Sequence, residues 1–267
     1  MAVTETVAPQ AVPVRREKVR AVTAAQVVGW IGAGWRDTRR AAPLSLLYGG
    51  VFVAAGLLLT GGLALAGMEY LITPLVEGFM LVAPLLALGL YEISRRLERG
   101  EALEWRPILA CWRPNQFHMM TAGLIYMLFL MIWARLAVII FAVCLPNQPT
   151  DWRSLMAVLP TLDGIAFIIT STVFGGALAT LAFVTNVVTL PAMLDRRTDF
   201  FAGAALSVLA VARNPGPMAL WAALLTGITG LGLALGLVGL VVALPVVGHA
   251  SWHAYRALVV PEAAPGD

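Results

Sequence analysis

Residues 74–100 read PLVEGFMLVAPLLALGLYEISRRLERG, and this stretch decides the class of fold. It is apolar over most of its length, contains one acidic residue in its first half, Glu77, and ends in an arginine-rich segment. A transmembrane helix needs about 20 predominantly apolar residues, and basic residues collect at its cytoplasmic end. The stretch therefore predicts a membrane-spanning helix that leaves the bilayer on the cytoplasmic side.

The composition of the whole chain points the same way. Of its 267 residues, 60% are hydrophobic and 12% are charged, whereas a soluble domain is about half apolar and a quarter charged. The net charge of +3 would suggest a nucleic-acid partner in a soluble protein. Here the basic residues lie beside apolar spans, where they determine topology, so no nucleic-acid partner is expected. The two cysteines provide neither a disulfide framework nor a zinc pattern.

The hydrophobic pattern predicts an all-α, polytopic membrane protein with about six transmembrane helices. The spans are predicted at residues 44–67, 71–96, 118–144, 163–193, 217–233 and 237–258. The last two are divided at a glycine cluster, because one helix over 217–258 would be about 60 Å long, although a single span is the alternative. We expect a disordered cytoplasmic tail at 1–24, the membrane domain at 25–258 and a C-terminal tail at 259–267.

Internal similarity suggests that the six spans form three hairpin repeats, each preceded by a short interfacial helix. Pro84, Tyr91 and Arg95 of the second span recur at the same spacing as Pro245, Trp252 and Arg256. The alternative is that proline and arginine recur near membrane boundaries in any case. In the first interfacial segment, residues 27–40, tryptophans are expected at headgroup depth and arginines toward anionic lipid; a basic linker is the alternative.

Lysines and arginines lie almost entirely on one side of the predicted bilayer. Arg153 lies in an outer loop and Arg135 lies inside a span, while the other 16 of the 18 are in the tails, at the ends of even-numbered spans or in the loops after them. The positive-inside rule then predicts that both termini lie in the cytoplasm.

Ionisable residues inside spans are expensive and are therefore candidates for function. Glu77 and Arg135 lie on neighbouring spans that could bring them together, either as a substrate or proton site or as a structural ion pair, with outward snorkelling of Arg135 as a further alternative. Glu92 precedes Arg95 and Arg96 by three and four residues, which predicts a local ion pair.

The remaining candidates are weaker. Asn186 in the fourth span is expected to hydrogen-bond between helices or to line a polar path. His249 and His253 are four residues apart on one helix face, a spacing that suits a metal or haem ligand pair, but no third ligand is evident, and interfacial anchoring is the favoured interpretation. No catalytic or cofactor motif is present in the sequence, so no cofactor is expected.

Four segments carry a resemblance to a known family. They are PLLALGLYEISRRLERGE at 84–101, LPAMLDRRTD at 190–199, NPGPMALW at 214–221 and LPVVGHASWHAYRALV at 244–259. The chain resembles, over about residues 25–260, a family of uncharacterised multi-pass inner-membrane proteins of bacteria that share a domain of unknown function. Some members are labelled cytochrome c oxidase subunit I-like, but the three histidines of this chain cannot supply the ligand set of that haem-copper subunit. The resemblance implies location and architecture and brings no site residues.

Two functions follow as hypotheses. The first is a non-catalytic accessory subunit or assembly partner of a larger membrane complex, for which the resemblance suggests a respiratory partner. The alternative is a transporter or channel for a small solute or ion that uses Glu77 and Arg135. In either case the expected partners are the lipid bilayer and a larger complex or a second copy of the chain.

Overall fold

The computed structural model describes residues 19–146, 148 and 152–260, and this part of the chain is helical, as predicted. Outside the helices, Val19 and Val259 form one isolated antiparallel β-bridge. The helices are α1 (Ala24–Arg40), α2 (Ala42–Leu65), α3 (Ile72–Leu86), α4 (Leu88–Arg99), α5 (Trp105–Leu109), α6 (Gln116–Cys144), α7 (Trp152–Val158), α8 (Leu162–Asn186), α9 (Thr189–Arg196), α10 (Phe200–Arg213), α11 (Pro215–Ala234) and α12 (Leu240–Leu258).

Five helical segments of the described chain are long and apolar enough to cross a membrane. They are Ala42–Leu65, Glu69–Arg99, Trp105–Cys144, Leu162–Arg196 and Pro215–Ala234. Large apolar side chains are exposed along α2, α6 and α8, among them Leu58, Phe117 and Val173, as expected for surfaces that face lipid. The multi-pass membrane architecture predicted from the sequence is thus supported by the structure.

The sixth predicted span corresponds to α12, which is not one of these five segments. α12 has 19 residues, but its second half carries His249, Ser251, His253 and Arg256, which lower its mean hydropathy. α11 and α12 are nevertheless separate helices, as the glycine cluster predicts, because Gly236 and Leu237 adopt left-handed backbone with φ near +67° and +69°. The arrangement of six spans as three hairpin repeats is therefore not confirmed.

Two of the predicted spans are interrupted where they leave the apolar region. Pro191 has no N–H to donate to the carbonyl of Val187 and its ring crowds that carbonyl, so α8 ends at Asn186 and α9 begins at Thr189. Similarly, Ala87 separates α3 from α4 and follows Pro84 by three residues. These breaks allow α4 and α9 to turn inward and pack against each other and against α12.

α12 is the most buried of the long helices and contacts α1, α2, α4, α9 and α11. Its neighbours approach closely at glycines. A methyl group on Gly34 would lie 2.4 Å from the carbonyl oxygen of Val246, and one on Gly248 would lie 2.6 Å from Cδ1 of Leu90. Small residues at such positions let helix backbones come together, and here they hold α1 and α4 against α12.

The two ends of the described chain meet. The bridge between Val19 and Val259 is accompanied by a hydrogen bond from the Arg20 N–H to the Leu258 carbonyl, 2.7 Å long. Val19 is only 3% exposed. Of the predicted tail 1–24, the structure describes residues 19–24: Val19 and Arg20 pair with the C-terminal end, and Thr23 caps α1. The rest of that tail, and 261–267 of the predicted C-terminal tail, lie outside the described residues.

Candidate functional site

A continuous chain of hydrogen bonds joins α1, α2 and α4 to α12. Ser45 Oγ lies 2.9 Å from Nε2 of His249, and Nδ1 of His249 lies 2.8 Å from Ser94 Oγ. Ser94 Oγ lies 2.8 Å from Oδ2 of Asp37, and Nε2 of His253 lies 2.8 Å from the same oxygen. We call these five residues, from α1, α2, α4 and α12, the polar chain.

The acceptor character of the carboxylate fixes the direction of the bonds from Ser94 and His253 to Asp37 and, through Ser94, of the bond at Nδ1 of His249. An ionised Asp37 can only accept, so the Ser94 hydroxyl donates to it and must itself accept from His249. His249 therefore carries a proton on Nδ1. Because burial favours the neutral imidazole, Nε2 is free to accept from the Ser45 hydroxyl. His253 donates through Nε2–H to Asp37.

The polar chain is buried, so a charge on one of its residues is costly unless hydrogen bonds stabilise it. Ser45, Ser94 and His249 are each at most 1% exposed, and Asp37 is 6% exposed. Burial lowers the pKa of His249 to about 4, an effect that the nearby Asp37 charge opposes in part. Burial by itself would raise the pKa of Asp37, but hydrogen bonds from His253 and Ser94 outweigh it and hold that pKa below its usual value. The polar chain is thus one carboxylate, stabilised by donors, next to a neutral histidine.

A second polar layer lies at the ends of α4, α9 and α12. Glu98 accepts hydrogen bonds from Nε1 of Trp252 and Nε of Arg256, both 3.0 Å long. Asp195 accepts from the Tyr255 hydroxyl at 2.8 Å. These contacts clamp the second half of α12, and with it His249 and His253, against the inward-turned helices.

The polar contacts of Glu92 and Asn186 are of the kinds that the sequence predicts, a local ion pair and a hydrogen bond between helices. Glu92 forms the predicted ion pairs with Arg95 and Arg96, each at 2.7 Å, and is 1% exposed. Asn186, 7% exposed, accepts a 2.6 Å hydrogen bond from the Tyr126 hydroxyl on α6. Its role is the interhelical one of the two expected for it.

The structure does not bring Glu77 and Arg135 together. Both side chains are exposed on the surfaces of α3 and α6, and no ion pair joins them among the residues that the structure describes. α3 packs on α6 through another face, where Gly78 meets Leu130 and the Pro74 carbonyl accepts from Nε1 of Trp133. Glu77 remains exposed although α3 and α6 pack together.

The two histidines do share a helix face, but the interpretation of both as interfacial anchors is wrong for His249, which is completely buried. No sequence pattern indicated its hydrogen-bond partners Ser45 and Ser94, or Asp37, which accepts from Ser94 and His253. Across the described ranges, no group of three or more His, Cys, Asp and Glu side chains is arranged to hold a metal ion.

The fold and this buried polar chain define a helical integral membrane protein whose polar residues are used to join helices. Residues 72–195 match the sequence model of a family described as "Predicted integral membrane protein (DUF2189)", whose function is unknown. This match confirms the resemblance over α3 to α9. α1, which carries Asp37, and α12, which carries His249 and His253, lie outside the matched residues. No curated protein and no solved structure matches the chain.

Proposed function

We propose that this protein is a non-catalytic subunit or assembly partner of a larger membrane complex, and that it binds its partner through the exposed face of α3. The observation that carries the proposal is Glu77. Its side chain is exposed within a candidate span, and no hydrogen bond or ion pair to it is present in the described part of the chain.

A charged carboxylate on a lipid-facing surface is costly, and such residues almost always face protein or water and pair with one another. Thr73 lies one turn before Glu77 and is also exposed, so the two form a polar face on an otherwise apolar helix. A helix from another protein that supplies a cation or a hydroxyl there would offset the cost. Arg135 is likewise a charged side chain that is exposed on a candidate membrane-spanning helix, α6.

The geometry favours this role over transport through the same two residues. A transport path that used both Glu77 and Arg135 would need the two side chains to line one route through the helix bundle. Each side chain is instead exposed at the surface of the protein. The polar chain is likewise saturated, because each of its buried polar atoms has a hydrogen-bond partner, which suits a rigid scaffold.

Location and partner class complete the proposal. The concentration of lysine and arginine after even-numbered spans supports a topology with both termini in the cytoplasm, and the resemblance suggests the bacterial inner membrane. A respiratory complex is the partner class that the resemblance suggests. α12 would then return the chain toward the side on which α1 begins, consistent with the pairing of Val19 and Val259.

The test is purification in mild detergent combined with crosslinking. A photo-crosslinking residue at Thr73 should capture a defined membrane protein, and E77Q should abolish co-purification of that protein while the chain still inserts. The matched control is E69Q, because Glu69 is also exposed but lies before α3. The proposal fails if the wild type purifies without a stoichiometric partner, or if E77Q and E69Q retain the partner equally. Capture of a second copy of the chain would identify the partner as itself.

A further inference from the structure

We propose that Arg36, Arg39 and Arg40 at the end of α1 form a binding site for the phosphate group of an anionic phospholipid. The three side chains line one open cavity of about 290 Å³. All three are exposed. This inference is independent of the proposed function.

The charge on this site is not neutralised within the described chain. Elsewhere, arginines of the same protein are paired: Arg96 with Glu92 and Arg256 with Glu98. By contrast, none of the three arginines that line the cavity has a carboxylate partner in the part of the chain that the structure describes. Guanidinium groups bind phosphate oxygens through two parallel hydrogen bonds, so a cluster of three unpaired ones suits a phosphate ligand.

The surroundings indicate a lipid rather than a free phosphate. α2 begins at Ala42, two residues after Arg40, and its outer surface exposes Leu47 at 55% and Val51 at 58%. A phospholipid whose phosphate lies among the arginines would therefore find an apolar surface for its acyl chains immediately beside the headgroup. Trp35, 46% exposed, lies directly before the arginines on α1, and tryptophan favours the depth of the headgroups.

The other face of α1 is fixed in place, so the arginines are presented by a rigid helix. Trp30 packs edge-on against Trp221 with ring centroids 5.5 Å apart. Asp37 is held by Ser94 and His253 in the polar chain. Because α1 cannot turn without breaking these contacts, its arginines are held at the boundary where α2 enters the bilayer.

The experiment measures binding of fluorescent phosphatidylglycerol to the delipidated full-length protein in neutral detergent, with phosphatidylcholine as the uncharged comparison. Each basic residue near an anionic lipid contributes roughly fivefold in binding, so R36Q/R40Q should weaken phosphatidylglycerol binding about 25-fold. The matched control is R106Q/R113Q, which removes two exposed arginines from another boundary segment. R36K/R40K keeps the charge and should retain most of the binding.

Three results would overturn the proposal. The first is equal binding of the two lipids by the wild type, and the second is an equal loss in R36Q/R40Q and R106Q/R113Q. The third is displacement of phosphatidylglycerol by millimolar inorganic phosphate, which would assign the site to a free anion. Retention of the lipid in excess phosphate, together with selective loss in R36Q/R40Q and rescue in R36K/R40K, supports a lipid site.

Discussion

Acidification should destabilise this protein through His249. In the fold, burial lowers the pKa of His249 to about 4, whereas an unfolded histidine has a pKa of about 6.5. Between these values the unfolded chain binds a proton that the folded chain does not, so the free energy of unfolding falls as the pH falls. Above about pH 6.5 the effect is absent, because both states hold the neutral imidazole.

The magnitude follows from the two pKa values. One pKa unit corresponds to about 1.4 kcal/mol, so His249 should remove roughly 2–3 kcal/mol of stability between pH 8 and pH 4.5. Asp37 acts in a lower range. Its pKa is held below the usual value of 3.8, so its contribution to stability is present above pH 3.8 and is lost only as the pH falls through the lower, folded-state pKa. The two titrations can therefore be separated by pH.

The assay is reversible unfolding in mixed micelles containing increasing SDS, followed by tryptophan fluorescence between pH 8 and pH 4.5. H249Q should be less stable at pH 8, by about 1–3 kcal/mol, because Ser45 and Ser94 lose their partner, and should lack the acid-dependent loss. H118Q is the matched control, since His118 is partly exposed and lies outside the polar chain. A flat wild-type profile from pH 6.5 to pH 4.5, or an undiminished loss in H249Q, would refute the reasoning.

Two further substitutions test the packing with the same unfolding assay. G34A places a methyl group 2.4 Å from the carbonyl oxygen of Val246 and should lower the free energy of unfolding by about 1–3 kcal/mol through overpacking. In the control G29A nothing lies within 4 Å of the added methyl group, so stability should rise by up to about 1 kcal/mol through helix propensity. Equal effects of the two substitutions would show that α1 does not pack on α12 as described. Y126F removes the 2.6 Å hydrogen bond to Asn186 and should cost about 1–2 kcal/mol, and a variant as stable as wild type would show that this bond does not join α6 to α8.

The helices were predictable because they depend on local patterns. Apolar runs of sufficient length, prolines and glycines indicated the positions of α2, α6, α8 and α11, and the glycines near Gly236 correctly separated α11 from α12. The role of α12 was not predictable in the same way. Its length and its apolar first half indicate a span, while the burial of its polar second half depends on α1 and α4, which are remote in sequence.

The polar chain was even less predictable than the burial of α12. Asp37, Ser45, Ser94 and His249 are separated by up to about two hundred positions, and no spacing rule connects them. The one available signal was on α1, where Val27, Trp30 and Asp37 lie on one helical face and are all buried. Adjacent apolar residues, such as Val28 at 57% exposure, suggest the neighbouring face equally well, and only the tertiary contact with α12 decides between them.

The contact between α1 and α12 has a consequence for biosynthesis. α1, α2 and α4 leave the ribosome before α12, so Asp37, Ser45 and Ser94 remain without their histidine partners until α12 has been synthesised. A nascent or truncated chain therefore carries unsatisfied polar groups near the bilayer, where they are costly. Docking of α12 then supplies these groups with their hydrogen-bond partners.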